Sequence, residues 1–287
     1  MTCSLIFSAR LLRREFRRAR QLWRFRRASL AGVPILFANS FPKSGTHLLT
    51  QILHGFTHLG PAVDSGLPAI VTYEGETGRP RPSHKILRDL ERLKAGDIAY
   101  GHLHALPAIL SFLSQPDVAT YFIFRDPRDV VVSHVFYVTE LASRHVHHRY
   151  YVEELHSFDE RLTVSILGRP DLGELFPNIY ARFEPYLGWC DRDDLLALRY
   201  EQFLSDRPTA IGRVLDHAVA RGFPLKCDRQ AALQILASSI RPQRSPTFRR
   251  GQAGGWREYF SPQHKQLFKD VAGNLLIYLG YESDWDW

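Results

Sequence analysis

Residues 33–53, VPILFANSFPKSGTHLLTQIL, decide the fold of this chain. The apolar run at 33–40 predicts a short buried strand, and after the turn FPKSG apolar side chains recur at helical spacing. A turn between a strand and a helix points backbone N–H groups and the positive end of the helix dipole at one place. The sequence therefore predicts an anion-binding loop, whose candidate ligands are Lys43, Ser44, Gly45, Thr46 and His47.

This loop differs from the nucleotide-binding P-loop G-x-x-x-x-G-K-[ST], because Lys43 precedes Gly45 by two residues. An ATP-dependent P-loop kinase would need a hydroxyl for Mg²⁺ after a Gly-Lys pair and an Asp on a second strand. The sequence lacks the first, and we identify no residue for the second. Kinase chemistry is kept as an alternative hypothesis.

A second strand, turn and helix are predicted at VATYFIFRDPRDVVVS, with Asp126 as the helix cap and Pro127 at the first helical position. Arg125, at the end of the strand, is suited to hold a phosphate through two hydrogen bonds, and the hydroxyl of Ser133 could add a third. Further strands and helices alternate along the chain, among them a capped helix predicted at SHKILRDLERLKAGD. The pattern predicts an α/β fold with a central parallel sheet, whose ligands bind at the carboxyl ends of the strands.

The segment FRRGQAGGWREYF near the C-terminus is too rich in glycine and arginine for a regular element. Arg249, Arg250 and Gly251 give two cations on a backbone that can fold over a phosphate.

These three stretches together resemble the sulfotransferase family that uses 3′-phosphoadenosine 5′-phosphosulfate (PAPS). P-K-S-G-T is similar to that family's phosphosulfate loop, Arg125 to Ser133 resembles its R-x-P-x-D-x-x-x-S segment for the 3′-phosphate, and RRGQAGGW resembles its R-K-G-x-x-G-x-W loop. LRYEQFL resembles a strand-end stretch that would bring Tyr200 near the adenine. The resemblance runs from about residue 33 to the C-terminus. It implies a single P-loop-like domain, PAPS as sulfuryl donor and no metal.

The resemblance also implies a catalytic base in AYGHLHALP, where His102 is the first candidate and His104 the alternative. A neutral imidazole with a pKa near ambient pH can take the proton of an acceptor hydroxyl. Lys43 would stabilise the charge that develops on the leaving phosphate oxygen. The sequence departs from cytosolic relatives in having His47 rather than an adenine-stacking tryptophan after the loop, and Tyr100 rather than lysine before the base. Their dimer motif is not found, which leaves the oligomeric state open.

The net charge of +7 is confined to the N-terminal 30 residues, which hold nine arginines and one glutamate and carry +8, so the remaining 257 residues carry −1. A nucleic-acid-binding domain would spread basic residues over its folded face, so this class is excluded.

We divide the chain into a basic arm, 1–30, and a sulfotransferase domain, 31–287. The arm is interpreted as an amphipathic helix on an anionic membrane, a solvated tail or a transit peptide. A non-enzymatic, membrane-surface nucleotide-binding protein is therefore a third hypothesis.

The acceptor side is predicted at 61–82 and 140–180, and its composition is compatible with a hydroxyl-bearing small molecule, lipid or carbohydrate. Five histidines lie in or beside the helix after the second motif: His134, His145, His147, His148 and His156. Of these, His145, His147 and His148 are expected to splay around a helix rather than converge on a metal ion. Because the sequence shows no evident signal peptide or membrane anchor, a cytoplasmic enzyme is expected, with membrane association through the arm as an option.

Overall fold

A computed structural model describes the backbone of residues 2–75, 77–245 and 249–287, and their side chains except those of 2–8 and 174. Its centre is a parallel sheet formed by β1 (Ile35–Ser40), β2 (Val63–Asp64), β3 (Ile70–Val71), β4 (Asp97–His102), β5 (Val118–Phe124) and β6 (Leu196–Arg199). The strand order is β2-β4-β1-β5-β6, and β3 also pairs with β4, further along the same edge than β2. This confirms the predicted α/β fold with a central parallel sheet.

Helices cover both faces of the sheet. They are α1 (Thr2–Arg24), α2 (Thr46–Leu59), α3 (Ser83–Leu90), α4 (Pro107–Leu113), α5 (Pro127–Phe136), α6 (Phe158–Leu167), α7 (Ile179–Phe183), α8 (Gln202–Ser205), α9 (Arg207–Ala220), α10 (Arg229–Ser238) and α11 (Pro262–Tyr278). One apolar core lies under α2, α9 and α10, and a larger one lies under α3 to α7 and α11. β1 and β5 are buried along their whole length, as expected for central strands of a parallel sheet that is covered on both faces.

Two local predictions need correction. The helix expected at residues 83–97 ends at Leu90. It was also expected to be capped, but the residue at its N-cap position is Pro82, whose side chain has no hydrogen-bonding group. Residues 61–82 are not wholly irregular, because Val63–Asp64 and Ile70–Val71 pair with β4. By contrast, Asp126 caps α5 as predicted, since its side chain accepts a hydrogen bond from the Arg128 N–H.

The basic N-terminal segment forms a helix that packs against the β2 edge of the sheet. Arg14 and Asp97 are 1% and 0% exposed, and their side chains form an ion pair at 2.6 Å. Arg18 binds the other oxygen of the same carboxylate at 2.9 Å. A buried charge needs such a partner, because burying it alone costs several kcal/mol. These contacts fix α1 on the body, so the described part of the arm is not a solvated tail.

Candidate functional site

The loop between β1 and α2 has a backbone that only a few residue types accept readily. Lys43 and Gly45 have φ angles of 69° and 98°. A Cβ atom at Gly45 would lie 2.5 Å from the ring of Tyr200. Glycine is therefore required at this position by its positive φ and by the close contact with Tyr200.

Several hydrogen-bond donors of this loop are left free for a ligand. The first N–H groups of α2 have no carbonyl four residues earlier within the helix to bond. Ser44 is fully buried, and its Oγ has no hydrogen-bond partner among the described residues. Buried polar groups are usually paired, so this arrangement fits a bound anion such as a phosphate or phosphosulfate.

Lys43 lies where positive charge converges. Burial lowers the pKa of its ammonium group to about 8, with further lowering by the charges of Arg125 and Arg249. Its Nζ lies 4.0 Å from the centre of the Tyr137 ring. Burial and the neighbouring cations destabilise the charged form of Lys43, and an anion bound beside it would stabilise that form.

Arg125, directly after β5, is the second cation of the site. Together with Lys43 and Arg249 it forms the cationic wall of the cavity. Its guanidinium bonds the Gln252 carbonyl at 2.6 Å and pairs with Asp129 at 3.4 Å, while its Nε is buried without a partner in the described part of the chain. Asp129 also accepts the N–H groups of Gly254 and Trp256, each at 2.8 Å. Asp129 thus fixes the C-terminal basic loop against α5.

The sequence reasoning did not single out Asp129 as a site residue, although it lies within the segment that resembles the 3′-phosphate motif. An acidic residue four positions after Arg125, on a helix face directed at the sheet edge, was the available signal.

Arg249 and Arg250 behave differently within the basic loop. Arg249 packs over the Phe136 ring at 4.0 Å and donates to the Tyr259 hydroxyl at 3.2 Å. Arg250 is exposed and pairs with Glu258 at 2.6 Å. Gly251 follows with a φ of 63°. Arg249 is therefore the more firmly positioned of the two cations.

Tyr200 follows β6 and connects two parts of the site. Its N–H bonds the Phe124 carbonyl at 2.8 Å, and the Arg125 guanidinium lies 4.9 Å from the centre of its ring. The neighbouring Glu201 accepts the Asp126 N–H at 3.0 Å. The ends of β5 and β6 are thereby held together under the loop that contains Gly45.

His102 ends β4 and contacts the anion loop. Its Nδ1 lies 3.1 Å from the Ser40 carbonyl oxygen and 3.0 Å from Ser40 Oγ, and that hydroxyl lies 2.7 Å from Thr46 Oγ1. A carbonyl oxygen only accepts, so it selects the tautomer protonated at Nδ1 and leaves Nε2 basic. Burial lowers the pKa of His102 to about 4, well below the near-ambient value expected from sequence, and the ring is neutral at pH 7.

His104 lies on the same wall but has no described contact with the anion loop. Its ring packs against Tyr73 and Tyr186, with centroid distances of 5.3 and 4.8 Å. Burial lowers its pKa to about 4 as well. The two histidines therefore differ in geometry and not in protonation state.

One cavity of about 840 Å³ brings the predicted residues together at the carboxyl ends of the strands. All predicted site residues except the buried Ser44 line it; they are Lys43, Gly45, Thr46, His47, His102, Arg125, Ser133, Tyr200, Arg249, Arg250 and Gly251. Both predicted acceptor segments also contribute, through residues such as Tyr73, His145, His147 and Phe176. The cavity thus has a cationic side and an aromatic side.

Two of the three histidines expected to splay around a helix, His145 and His147, instead converge with His134. Residues 142–147 are not helical, and the rings of His134, His145 and His147 have centroids 5.1 to 6.3 Å apart. Burial lowers the pKa of His145 to about 4 and that of His147 to about 3. No group of three or more side chains placed to hold a metal ion is found among the described residues.

Comparison with known proteins gives structural matches only. No protein-family model and no curated protein sequence matches this chain. Mouse sulfotransferase SULT7A1 complexed with PAP is similar at a TM-score of 0.57 and 16% identity, over 85% of this chain and 84% of that one.

Retinol dehydratase in complex with androsterone and the inactive cofactor PAP has a TM-score of 0.57 at 18% identity, over 84% of this chain and 80% of its own. Its complex with retinol and PAP has a TM-score of 0.52 at 18% identity, over 84% and 81%. The sheet of parallel strands, the anion loop after β1 and the match over most of each chain show that this chain has the sulfotransferase fold.

Proposed function

We propose that this protein is a sulfotransferase that moves the sulfuryl group of PAPS to a hydroxyl acceptor. The observation that carries the proposal is the convergence of Lys43, Arg125 and Arg249 on one cavity wall, beside a neutral histidine at the end of β4. The similar structures contain PAP, which is the product that PAPS leaves after transfer.

The residues present fit this donor. The anion loop, with Lys43, Ser44, Gly45, Thr46 and His47, would hold the 5′-phosphosulfate. Arg125, Ser133, Arg249, Arg250 and Gly251 would hold the 3′-phosphate, and Tyr200 would lie near the adenine. Ser44 Oγ and Arg125 Nε have no hydrogen-bond partner in the part of the chain that the structure describes, and a phosphate would supply the acceptors that they lack. When bound, the donor supplies the sulfuryl group.

Two side chains of this protein would carry the chemistry. The Nε2 atom of His102 would take the proton of the acceptor hydroxyl, since Nδ1 is committed to Ser40. The Lys43 ammonium would stabilise negative charge on the phosphate oxygen from which the sulfuryl group departs.

The acceptor would bind on the aromatic side of the cavity. Tyr73, Tyr186 and Phe176 provide apolar surface there, while His145 and His147 are neutral near pH 7. A pocket of this kind suits a largely apolar molecule with a hydroxyl group. The androsterone and retinol bound to retinol dehydratase are consistent with such an acceptor class.

Replacing Lys43 tests the proposal. In an assay of PAP formation from PAPS with a panel of alcohols and phenols, Lys43→Ala is expected to lower kcat by roughly 10²–10³-fold. The wild-type kcat/KM for PAPS is also expected to fall as the pH rises above the pKa of about 8 of Lys43 in the unliganded protein, because the ammonium form is then lost. Lys85→Ala, which removes an exposed lysine on α3, is the matched control. A Lys43→Ala enzyme that turns over like wild type would contradict the assignment.

A further inference from the structure

The outward face of α1 carries an apolar stripe. Leu12, Phe16 and Trp23 are 73%, 73% and 83% exposed, and with Ala9 and Ala19 they recur at spacings of three and four. Residues at these spacings share one side of a helix. Such large side chains are not scattered singly here but form a continuous stripe on the surface.

Uncompensated positive charge borders this stripe. Arg13, Arg20 and Arg24 are exposed and lie about one third of a turn or less from it on the helix circumference. None of the ion pairs formed by described side chains includes any of the three. Arg14, Arg17 and Arg18 do have carboxylate partners, Asp97 and Asp64, and lie on the side of the helix that faces the body.

The helix is held firmly with this face outward. Beyond the pairing with Asp97, Arg14 donates to the Arg92 carbonyl at 2.9 Å, and Arg18 donates to the Ala95 carbonyl at 3.0 Å. Arg17 pairs with Asp64 on β2. The orientation of the stripe is thus set by contacts to β2, to β4 and to the turn before β4, of which the Arg14–Asp97 pair is fully buried.

We propose that the outward face of α1 binds the surface of an anionic lipid bilayer. Apolar side chains flanked by arginines match an interface in which acyl chains lie beneath negatively charged headgroups. A nucleic acid would satisfy the arginines but leave Leu12, Phe16 and Trp23 in water. If two copies of this face packed together, the arginines of one copy would lie close to those of the other and repel them. No helix among the described residues is long and apolar enough to cross a membrane.

Vesicle co-sedimentation of the full chain tests this proposal and requires no sulfuryl transfer. Binding is expected to vesicles of phosphatidylcholine with phosphatidylserine, and much less to phosphatidylcholine alone. Leu12→Gln/Phe16→Gln/Trp23→Gln, which retains good helix formers, is expected to weaken binding at least tenfold. Arg13→Gln/Arg20→Gln/Arg24→Gln is expected to weaken binding to the anionic vesicles by roughly 10²-fold.

Three exposed apolar residues elsewhere provide the matched control: Leu141→Gln/Val152→Gln/Val219→Gln is expected to bind vesicles like wild type. Circular dichroism and the thermal midpoint verify that every variant is folded. Equal binding by the α1 stripe variant and wild type would overturn the proposal. So would sedimentation velocity without lipid that shows a dimer abolished by the stripe substitutions, because the face would then be a contact between two copies.

Discussion

Replacing His102 with alanine is expected to lower kcat by roughly 10²–10⁴-fold, which is the usual contribution of a general base. The reason is that Nε2 of His102 is the atom proposed to accept the proton, and alanine has no group that could do so. Affinity for PAP is expected to stay near the wild-type value, because the loss concerns proton transfer and not the phosphate contacts. Steady-state kinetics and PAP titration on the same preparation separate the two effects.

His104→Ala is the matched comparison, since His104 shares the cavity wall and a pKa of about 4 but packs against Tyr73 and Tyr186. We expect it to change KM for the acceptor more than kcat. If the large loss of kcat instead followed His104→Ala and spared His102→Ala, the assignment of the base would be wrong.

The second large effect is expected at Asp129, which we interpret as a positioning residue. Asp129→Ala removes the acceptor for two backbone N–H groups, those of Gly254 and Trp256, and the ion-pair partner of Arg125. Each buried unpaired group costs about 1–3 kcal/mol, so the basic loop should move away from α5. Affinity for PAP is then expected to fall by about 10- to 100-fold.

Two further variants test whether the loss of PAP affinity is specific to the carboxylate of Asp129. Asp129→Asn retains one carbonyl oxygen as acceptor and is expected to have intermediate affinity. Glu258→Ala removes an exposed carboxylate from the same loop and is expected to change PAP affinity by less than about fivefold, because exposed ion pairs contribute about 1 kcal/mol or less. Wild-type PAP affinity in a folded Asp129→Ala protein would show that the loop is positioned by other contacts.

The parts of the fold that depend on local pattern were predicted well. The strand, loop and helix at β1 and α2, and again at β5 and α5, are specified by apolar spacing, Gly45 and the Asp126 cap within short stretches of chain. The convergence of the candidate site residues on one cavity could be predicted as well, because parallel strands bring their carboxyl ends, and the residues that follow them, to one edge.

What the sequence did not indicate depends on distant partners. The docking of α1 requires that Arg14 meet Asp97, a pairing that no local pattern encodes. The two-residue strands β2 and β3 exist because β4 offers them hydrogen bonds. The convergence of His134, His145 and His147 follows from a non-helical segment that helical periodicity could not anticipate.

Calorimetric titration of the full chain with PAP, beside ATP with Mg²⁺, tests the central claim most directly. We expect that PAP binds, that ATP with Mg²⁺ binds far more weakly, and that Arg125→Ala lowers PAP affinity by about 10- to 100-fold through loss of a charged hydrogen-bonding partner of the phosphate. Preference for ATP with Mg²⁺, or PAP binding unaffected by Arg125→Ala, would contradict it.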